Sequence, residues 1–267
     1  MVAQTIALPN IRKMFIPDPG YEIAEADLSG AEAQVVAWEA NDEDLKQAFR
    51  SGINVHIKNA RDVCPEKIKG WSDEAIKATS YPGGIYYTCK RCVHATHNGA
   101  APKGLSQQIG IPIRDAENFQ RIWFGLHPTI PKYKDRVNSQ LLGTYDWPDG
   151  IKRSRTVFNS FGYRIIYFDR IKSLLPQALA WIPQSTVGIT SVKGGTQLHA
   201  TVPWVEILLQ VHDSLVFQYP IARSTNKDLA IIKSALEVTC PYDDPLVIPW
   251  TLKTSRISWG HCESRKW

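Results

Sequence analysis

Two short stretches constrain this chain more than anything else in it. Asp27-Leu28-Ser29-Gly30-Ala31-Glu32 near the start and Val211-His212-Asp213-Ser214 far downstream each set one carboxylate at the end of a β-like run. The first follows Tyr21-Glu22-Ile23-Ala24-Glu25-Ala26 and leads into a helical pattern; the second sits between the apolar runs 204–210 and 215–219. An aspartate at a strand exit is held rigidly, and two of them brought together by a fold can grip the divalent cations used in phosphoryl or nucleotidyl transfer. Taken singly, each stretch reads more often as turn chemistry, where Asp and His are common.

Strand and helix patterns alternate along the rest of the chain, without repeats or low-complexity tracts. Ala31, Val35 and Trp38 recur at helical spacing, and residues 41–50 read as a second helix with Leu45, Ala48 and Phe49 on its apolar side. From Gly52 to Trp147 the pattern is helical and irregular, broken at Pro82-Gly83-Gly84 and Asn98-Gly99. Within it Ala116, Phe119, Trp123 and Leu126 mark a helix ending near His127-Pro128. A helix beginning near Asn226, with Leu229, Ile232 and Leu236 on one side, is predicted to support the second aspartate from behind.

With 267 residues, 43% of them hydrophobic, the chain can bury a substantial core in one or two domains. No apolar run approaches the roughly 20 residues of a membrane span, and the N-terminus lacks the layout of a signal peptide. The expectation is a cytoplasmic protein with no membrane partner. A formal charge of +5, from 31 basic against 26 acidic residues, favours polyanionic partners only mildly.

The five cysteines, Cys64, Cys89, Cys92, Cys240 and Cys262, form no disulfide framework and fit a reducing compartment. Cys89-Lys90-Arg91-Cys92-Val93-His94-Ala95-Thr96-His97 resembles a zinc site on paper. On a helix, however, Lys90, His94 and His97 share one face while Cys89 and Cys92 point roughly the other way, so four ligands do not converge. Free cysteines are the better reading.

Pro17-Asp18-Pro19-Gly20-Tyr21 through Glu32, then Asn54-Val55-His56 and Val211-His212-Asp213, in that order, resemble the palm of the family A DNA polymerases, the DNA polymerase I family. Lys90 and His94 match that family's nucleotide-binding fingers helix, and Ile257-Ser258-Trp259-Gly260-His261 its C-terminal end. The resemblance implies an α+β fold: a palm with an antiparallel sheet and an inserted helical fingers subdomain, with thumb and exonuclease absent. The expected divisions are 1–51 (palm, first part), 52–147 (fingers) and 148–267 (palm, second part).

It also implies template-directed DNA polymerase activity by two metal ions, magnesium with manganese as a possible substitute. Asp27 and Asp213 would be the catalytic metal ligands, with the backbone carbonyl of Leu28 added. Lys90 would meet the triphosphate, His56 the β-phosphate region, and His94 a base or sugar. Glu32 would exclude a 2′-hydroxyl. Arg91 would meet template phosphate, Gln184 the primer–template minor groove, and His212 the primer terminus. Without the resemblance Lys90 reads as a solvated helix lysine, His56 as a satisfied loop histidine and Arg91 as surface charge.

The departures fall in the nucleotide pocket. Tyr86 stands where the family usually has arginine, Gly30 replaces a polar side chain, Asn98 takes the place of a tyrosine and Ser214 that of a frequent glutamate. Only about ten residues precede the Arg12-Lys13-Met14-Phe15 segment, which leads to the expectation of a minimal or split enzyme from a bacterial or viral replication system. Its partners would be primer–template DNA, deoxynucleoside triphosphates and a second polypeptide supplying a thumb or exonuclease. The alternative is a non-catalytic nucleic-acid-binding subunit of a replication complex.

Overall fold

The computed structural model describes residues 9–147, 150–168 and 174–267. In chain order the helical part follows one strand: β1 (Tyr21–Leu28), α1 (Ala31–Glu39), α2 (Glu43–Arg50), α3 (Val55–Val63), α4 (Asp73–Ala78), α5 (Ile85–His97), α6 (Pro102–Ile109), α7 (Ile113–Leu126) and α8 (Thr129–Leu142). Two hairpins come next, β2 (Thr144–Trp147) with β3 (Gly150–Arg153), and β4 (Thr156–Phe158) with β5 (Arg164–Ile166). The chain then runs through α9 (Leu175–Thr201), β6 (Glu206–Val211), β7 (Ser214–Pro220), α10 (Asn226–Leu236), β8 (Thr239–Cys240), β9 (Leu246–Val247), β10 (Trp250–Ser255) and β11 (Glu263–Arg265). It divides into two compact units, Met1–Ala31 with Val187–Trp267, and Glu32–Thr186. No helix among the described residues is long and apolar enough to cross a membrane.

The first unit is built on a five-stranded antiparallel sheet in the order β11-β10-β1-β7-β6. β1 and β7, at its centre, are buried on both faces. β7 is buried along Ser214–Tyr219, whereas the edge strand β6 alternates exposed and half-buried positions. Side chains alternate across a strand, so Ile23, Glu25 and Asp27 share one face of β1, and Glu22, Ala24, Ala26 and Leu28 share the other. Sheet and helices approach closely at two glycines of α9. A Cβ on Gly194 would lie 2.8 Å from the carbonyl oxygen of Leu236, and one on Gly195 would lie 3.3 Å from Leu215 Cδ1. The expected helix after the second aspartate is α10, with Leu229, Ile232 and Leu236 fully buried. Trp250 Nε1 donates to the carbonyl of Leu236, tying the end of α10 to the sheet.

The second unit is mostly helical, and its helices start where short polar side chains can accept orphan backbone N–H groups. Asp42 caps α2 at Leu45, Asn54 caps α3 at His56 and Ile57, and Ser72 caps α4 at Ala75. In α2 the buried side chains are Leu45, Lys46 and Ala48, while the expected Phe49 is only half-buried. Lys46 is buried because its ammonium group donates to Asn41 and Glu43 and lies over the Trp38 ring. Leu126 also departs from expectation: Ala116, Phe119 and Trp123 are buried, but Leu126, in the last turn of α7, is 45% exposed.

α5 carries two stripes. Cys89, Cys92, Val93 and Thr96 form the buried one, spaced three and four apart. Tyr86, Lys90 and His94, four apart, form the other. His97 shares the angular position of Lys90 but not its exposure: it is 5% exposed and lies 5.7 Å, ring to ring, from Trp123 of α7. The helix ends at Asn98, and Gly99 takes φ +80°, a left-handed backbone that a side chain would strain.

Candidate active site

In the first unit Asp27 of β1 lies directly opposite Ser214 of β7, and the Leu28 N–H donates to the carbonyl of Asp213 at 3.3 Å. The two strand-end aspartates are thus set side by side by backbone register. His212 and Asp213 form the two-residue turn between β6 and β7, and His212 takes φ +55°, the left-handed conformation that tight hairpins need. The hydroxyl of Ser214 donates to the carbonyl of Val211 at 2.9 Å, closing the turn from inside. A glutamate at this position would bring a third carboxylate; serine brings a turn lock.

β1 carries three acids with different fates. Glu25, two residues before Asp27 on the same face, pairs with Arg12 at 3.3 Å and Lys253 at 3.4 Å. Glu22, on the other face, accepts from Ser224 and pairs with Arg265. Burial would raise the Glu22 carboxyl, but the Ser224 and Thr254 hydrogen bonds and Arg265 prevail and lower it. Among the described residues no ion pair forms on Asp27 or Asp213. Asp27 is raised from the ordinary carboxylate value to about 6 by burial first and then by the charge of Asp213, which Lys253 and Arg12 offset only in part. The donor set of two carboxylates beside the backbone of Leu28 is all oxygen, and its uncompensated negative charge suits a hard divalent cation.

In the second unit His56, at the start of α3, meets the polar stripe of α5. Its ring centroid lies 5.9 Å from that of Tyr86, edge to face, and 5.8 Å from that of His94. Lys90 is exposed between them in sequence. Burial, with Lys90 and His94 adding positive charge, lowers His56 to about 3, so its ring is neutral at physiological pH. Burial and Lys90 lower His94 as well. The Nδ1 atom of His56 is buried without a hydrogen-bond partner. Sequence reasoning treated Tyr86 only as a missing arginine and missed its contact with His56. The i, i+4 spacing of Tyr86, Lys90 and His94 was the available signal.

The remaining candidates do not join this cluster. Arg91 is exposed, donates to the Tyr87 hydroxyl at 3.0 Å and lies over the Tyr87 ring. Glu32 is half-buried in the first turn of α1, and Gln184 is exposed on α9. Beside Gln184, Ser185 accepts from Asn159 Nδ2, and the Asn159 side-chain oxygen accepts from the N–H groups of Phe161 and Tyr163. That fixes the 161–164 segment against α9.

A different group, Asp42, Asp44 and His127, has potential ligand atoms within 4.8 Å of one another. The Asp42 and Asp44 carboxylates and His127 Nδ1 already have partners, while His127 Nε2 is buried without one. Asp42 accepts from Leu45, Thr129 and His127, and Asp44 pairs with Lys58. Asp42 is lowered to about 2, burial being outweighed by the His127, Thr129 and Leu45 hydrogen bonds. Asp42 is thus the hydrogen-bonded cap of α2, and Asp44 an ion-paired surface carboxylate.

Residues 3–255 match the model of DNA polymerase family A. The chain belongs to that family. It is 27% identical over 251 residues to the thermostable DNA polymerase I of Thermus filiformis, covering 89% of this chain and 27% of that protein. It is 24% identical over 260 residues to the DNA polymerase of Mycobacterium phage D29, covering 97% of this chain and 38% of that one. The chain therefore spans well under half the length of these relatives. Among solved structures, the POL domain of Pol1 from M. smegmatis, in complex with DNA primer–template and dNTP, matches 97% of this chain with a TM-score of 0.71 at 18% identity, covering 45% of that chain. The fold expected from the resemblance, helices with an antiparallel sheet, is the fold of this polymerase domain.

Proposed function

We propose that this chain carries the nucleotide-adding centre of a template-directed DNA polymerase, joining deoxynucleotides to a primer 3′-hydroxyl. The observation that carries this reading is that backbone register sets Asp27 beside Asp213, two carboxylates that form no ion pair among the described residues and of which one is raised by burial and by the charge of the other. Two divalent cations, magnesium with manganese as a substitute, would be held by Asp27, Asp213 and the Leu28 carbonyl, and when bound supply charge that activates the 3′-hydroxyl and balances the leaving pyrophosphate.

The protein's own groups bind and orient. Lys90 attracts the triphosphate as a point charge. His56, kept neutral by burial, offers the β-phosphate region a hydrogen bond rather than a charge, and His94 offers an imidazole face to base or sugar. Glu32 fills the space below C2′ and selects deoxynucleotides. Arg91 meets template phosphate, Gln184 the minor groove, and His212 the primer terminus. In this reading 1–51 and 148–267 act as palm and 52–147 as fingers; the second boundary falls beside residues 148–149, outside the described residues. The modest excess of 31 basic over 26 acidic residues gives little hold on a duplex, so we assign that grip to protein beyond these 267 residues, in the same polypeptide or in a second one bearing a thumb or exonuclease.

Primer extension with magnesium tests the reading. Asp27→Asn and Asp213→Asn should each lower extension by about 10³-fold or more while circular dichroism stays unchanged. Undiminished extension by either variant would overturn it. Tyr86, Asn98 and Ser214 favour the second reading, a non-catalytic nucleic-acid-binding subunit, which predicts primer–template binding without extension in any divalent metal.

A further inference from the structure

The second unit holds a cavity of about 500 Å³ that no assigned nucleotide or metal role uses. Cys64, Lys67, Cys89, Cys92, Asp115 and Phe119 are among the residues lining it. Cys64 caps the C-terminus of α3 and is half-buried, so solvent reaches it; Cys89, on the buried stripe of α5, is 2% exposed. Their sulfurs are 3.9 Å apart, in hydrogen-bond contact, although the residues lie 25 positions apart in sequence. An unused cavity and two thiols in contact, one reachable and one shielded, have the layout of an attacking and a resolving cysteine.

We propose that Cys64 and Cys89 form a dithiol modification site that reacts with a hydroperoxide and closes as a disulfide between α3 and α5. The Cys64 thiolate attacks the peroxide: an S–O bond forms, the O–O bond breaks, and the departing alkoxide or hydroxide takes a proton to leave as alcohol or water. Sulfur loses two electrons and the peroxide gains them. Cys89 then attacks the Cys64 sulfenic acid: the S–S bond forms, the S–O bond breaks, and hydroxide leaves with the Cys89 proton as water. The Cys89 hydrogen bond, helped by Lys67 against burial, lowers Cys64 to about 7, while the same bond pushes Cys89 up. The exposure of Cys64 and the burial of Cys89 assign Cys64 the first step, and the lowered thiol agrees with it. The sulfurs must approach from 3.9 Å to about 2.05 Å. Cys64 can supply that movement because its backbone, φ −126° and ψ 45°, already lies outside the helix. Cys92 faces the same cavity but is fully buried, and burial pushes its thiol up to about 12.

The test is peroxide titration of the reduced full chain, followed by thiol alkylation under denaturing conditions and peptide mapping. The expected product is a Cys64–Cys89 cross-linked peptide, reversible by dithiothreitol, with Cys92, Cys240 and Cys262 alkylated. Oxidation at Cys64 should be at least ~10-fold faster than at buried Cys240 and should accelerate as pH rises through about 7. Cys89→Ser should leave a sulfenic acid on Cys64 that a dimedone probe traps. Cys92→Ser should still form the link, which keeps the proposal testable if Cys89→Ser folds poorly. Five alkylated cysteines after a dose that oxidises free glutathione, or a link from Cys64 to Cys92 or between molecules, would overturn the proposal.

Discussion

The strand-end aspartates of the first unit and the histidine–lysine cluster of the second are both polar sites on a buried scaffold, yet they are held differently. Asp27 and Asp213 are set by backbone register: a ladder position opposite Ser214 and an N–H donated by Leu28 fix where each Cα lies. His56, Lys90 and His94 are set by side-chain packing, one ring at the start of α3 against a stripe four residues apart on α5. Register tolerates almost no displacement, because slipping by one residue turns the side chain to the opposite face. A helix stripe tolerates more. The first arrangement suits groups that must hold a transferring phosphorus to a fraction of an ångström, and the second suits groups that attract and orient a nucleotide.

The two modes predict different losses. The asparagine variants of Asp27 and Asp213 stand at the top of the scale, with the loss falling on the rate of the chemical step. Lys90→Ala should cost about 10–100-fold in kcat/KM, the worth of one charge-assisted phosphate contact, with most of the change in KM for the nucleotide. If steady-state kinetics gave Lys90→Ala a loss as deep as Asp27→Asn and confined to kcat, the distinction between register-held and packing-held groups would fail. Glu32→Ala should shift the ratio of ribonucleotide to deoxynucleotide incorporation by roughly 10-fold, since removing the side chain leaves room for a hydroxyl. Competition between matched nucleotides measures that ratio, and an unchanged value moves the sugar gate elsewhere.

The smallest effect is on stability. Asp27 is raised in the folded chain to about 6, by burial and by Asp213. Its protonated form is therefore favoured by folding, and the contribution is fully present below the unfolded carboxylate value near 4 and lost as pH rises through about 6. For a half-exposed group screened by solvent this amounts to about 1 kcal/mol. In EDTA, the Tm of the wild-type chain relative to Asp27→Asn should fall between pH 4 and pH 7. Magnesium should restore part of the loss above pH 6, and curves that stay parallel with and without magnesium would remove the cation from Asp27.

Much of the scaffold was legible because local rules carry it. The β1 and β7 runs, the helix over 41–50 and the helix beginning near Asn226 follow from period and polar punctuation. The errors came where neighbours override a helix's own pattern. His97 matches Lys90 in angle but is covered by Trp123, Leu126 is apolar yet exposed, and Lys46 is charged yet buried beneath Trp38. The Cys64–Cys89 contact was invisible for the same reason. Cys89 was read with Cys92 and the histidines beside it in sequence, whereas its sulfur meets one from another helix.

By itself the sequence determined the strand runs around the two aspartates, the helices after Gly30, over 41–50, ending near His127 and beginning near Asn226, and that two carboxylates stand at strand exits. These properties depend on dihedral preference and on periodicity over a few residues, which every local segment carries. Tertiary structure alone decided that Asp27 and Asp213 are neighbours, that Glu25 receives Arg12 and Lys253 while Asp27 is left without such partners, and that His56 is neutral against Tyr86 and His94. Charge compensation and desolvation depend on which distant residues share a small volume of low dielectric, and no segment of the chain encodes that volume alone.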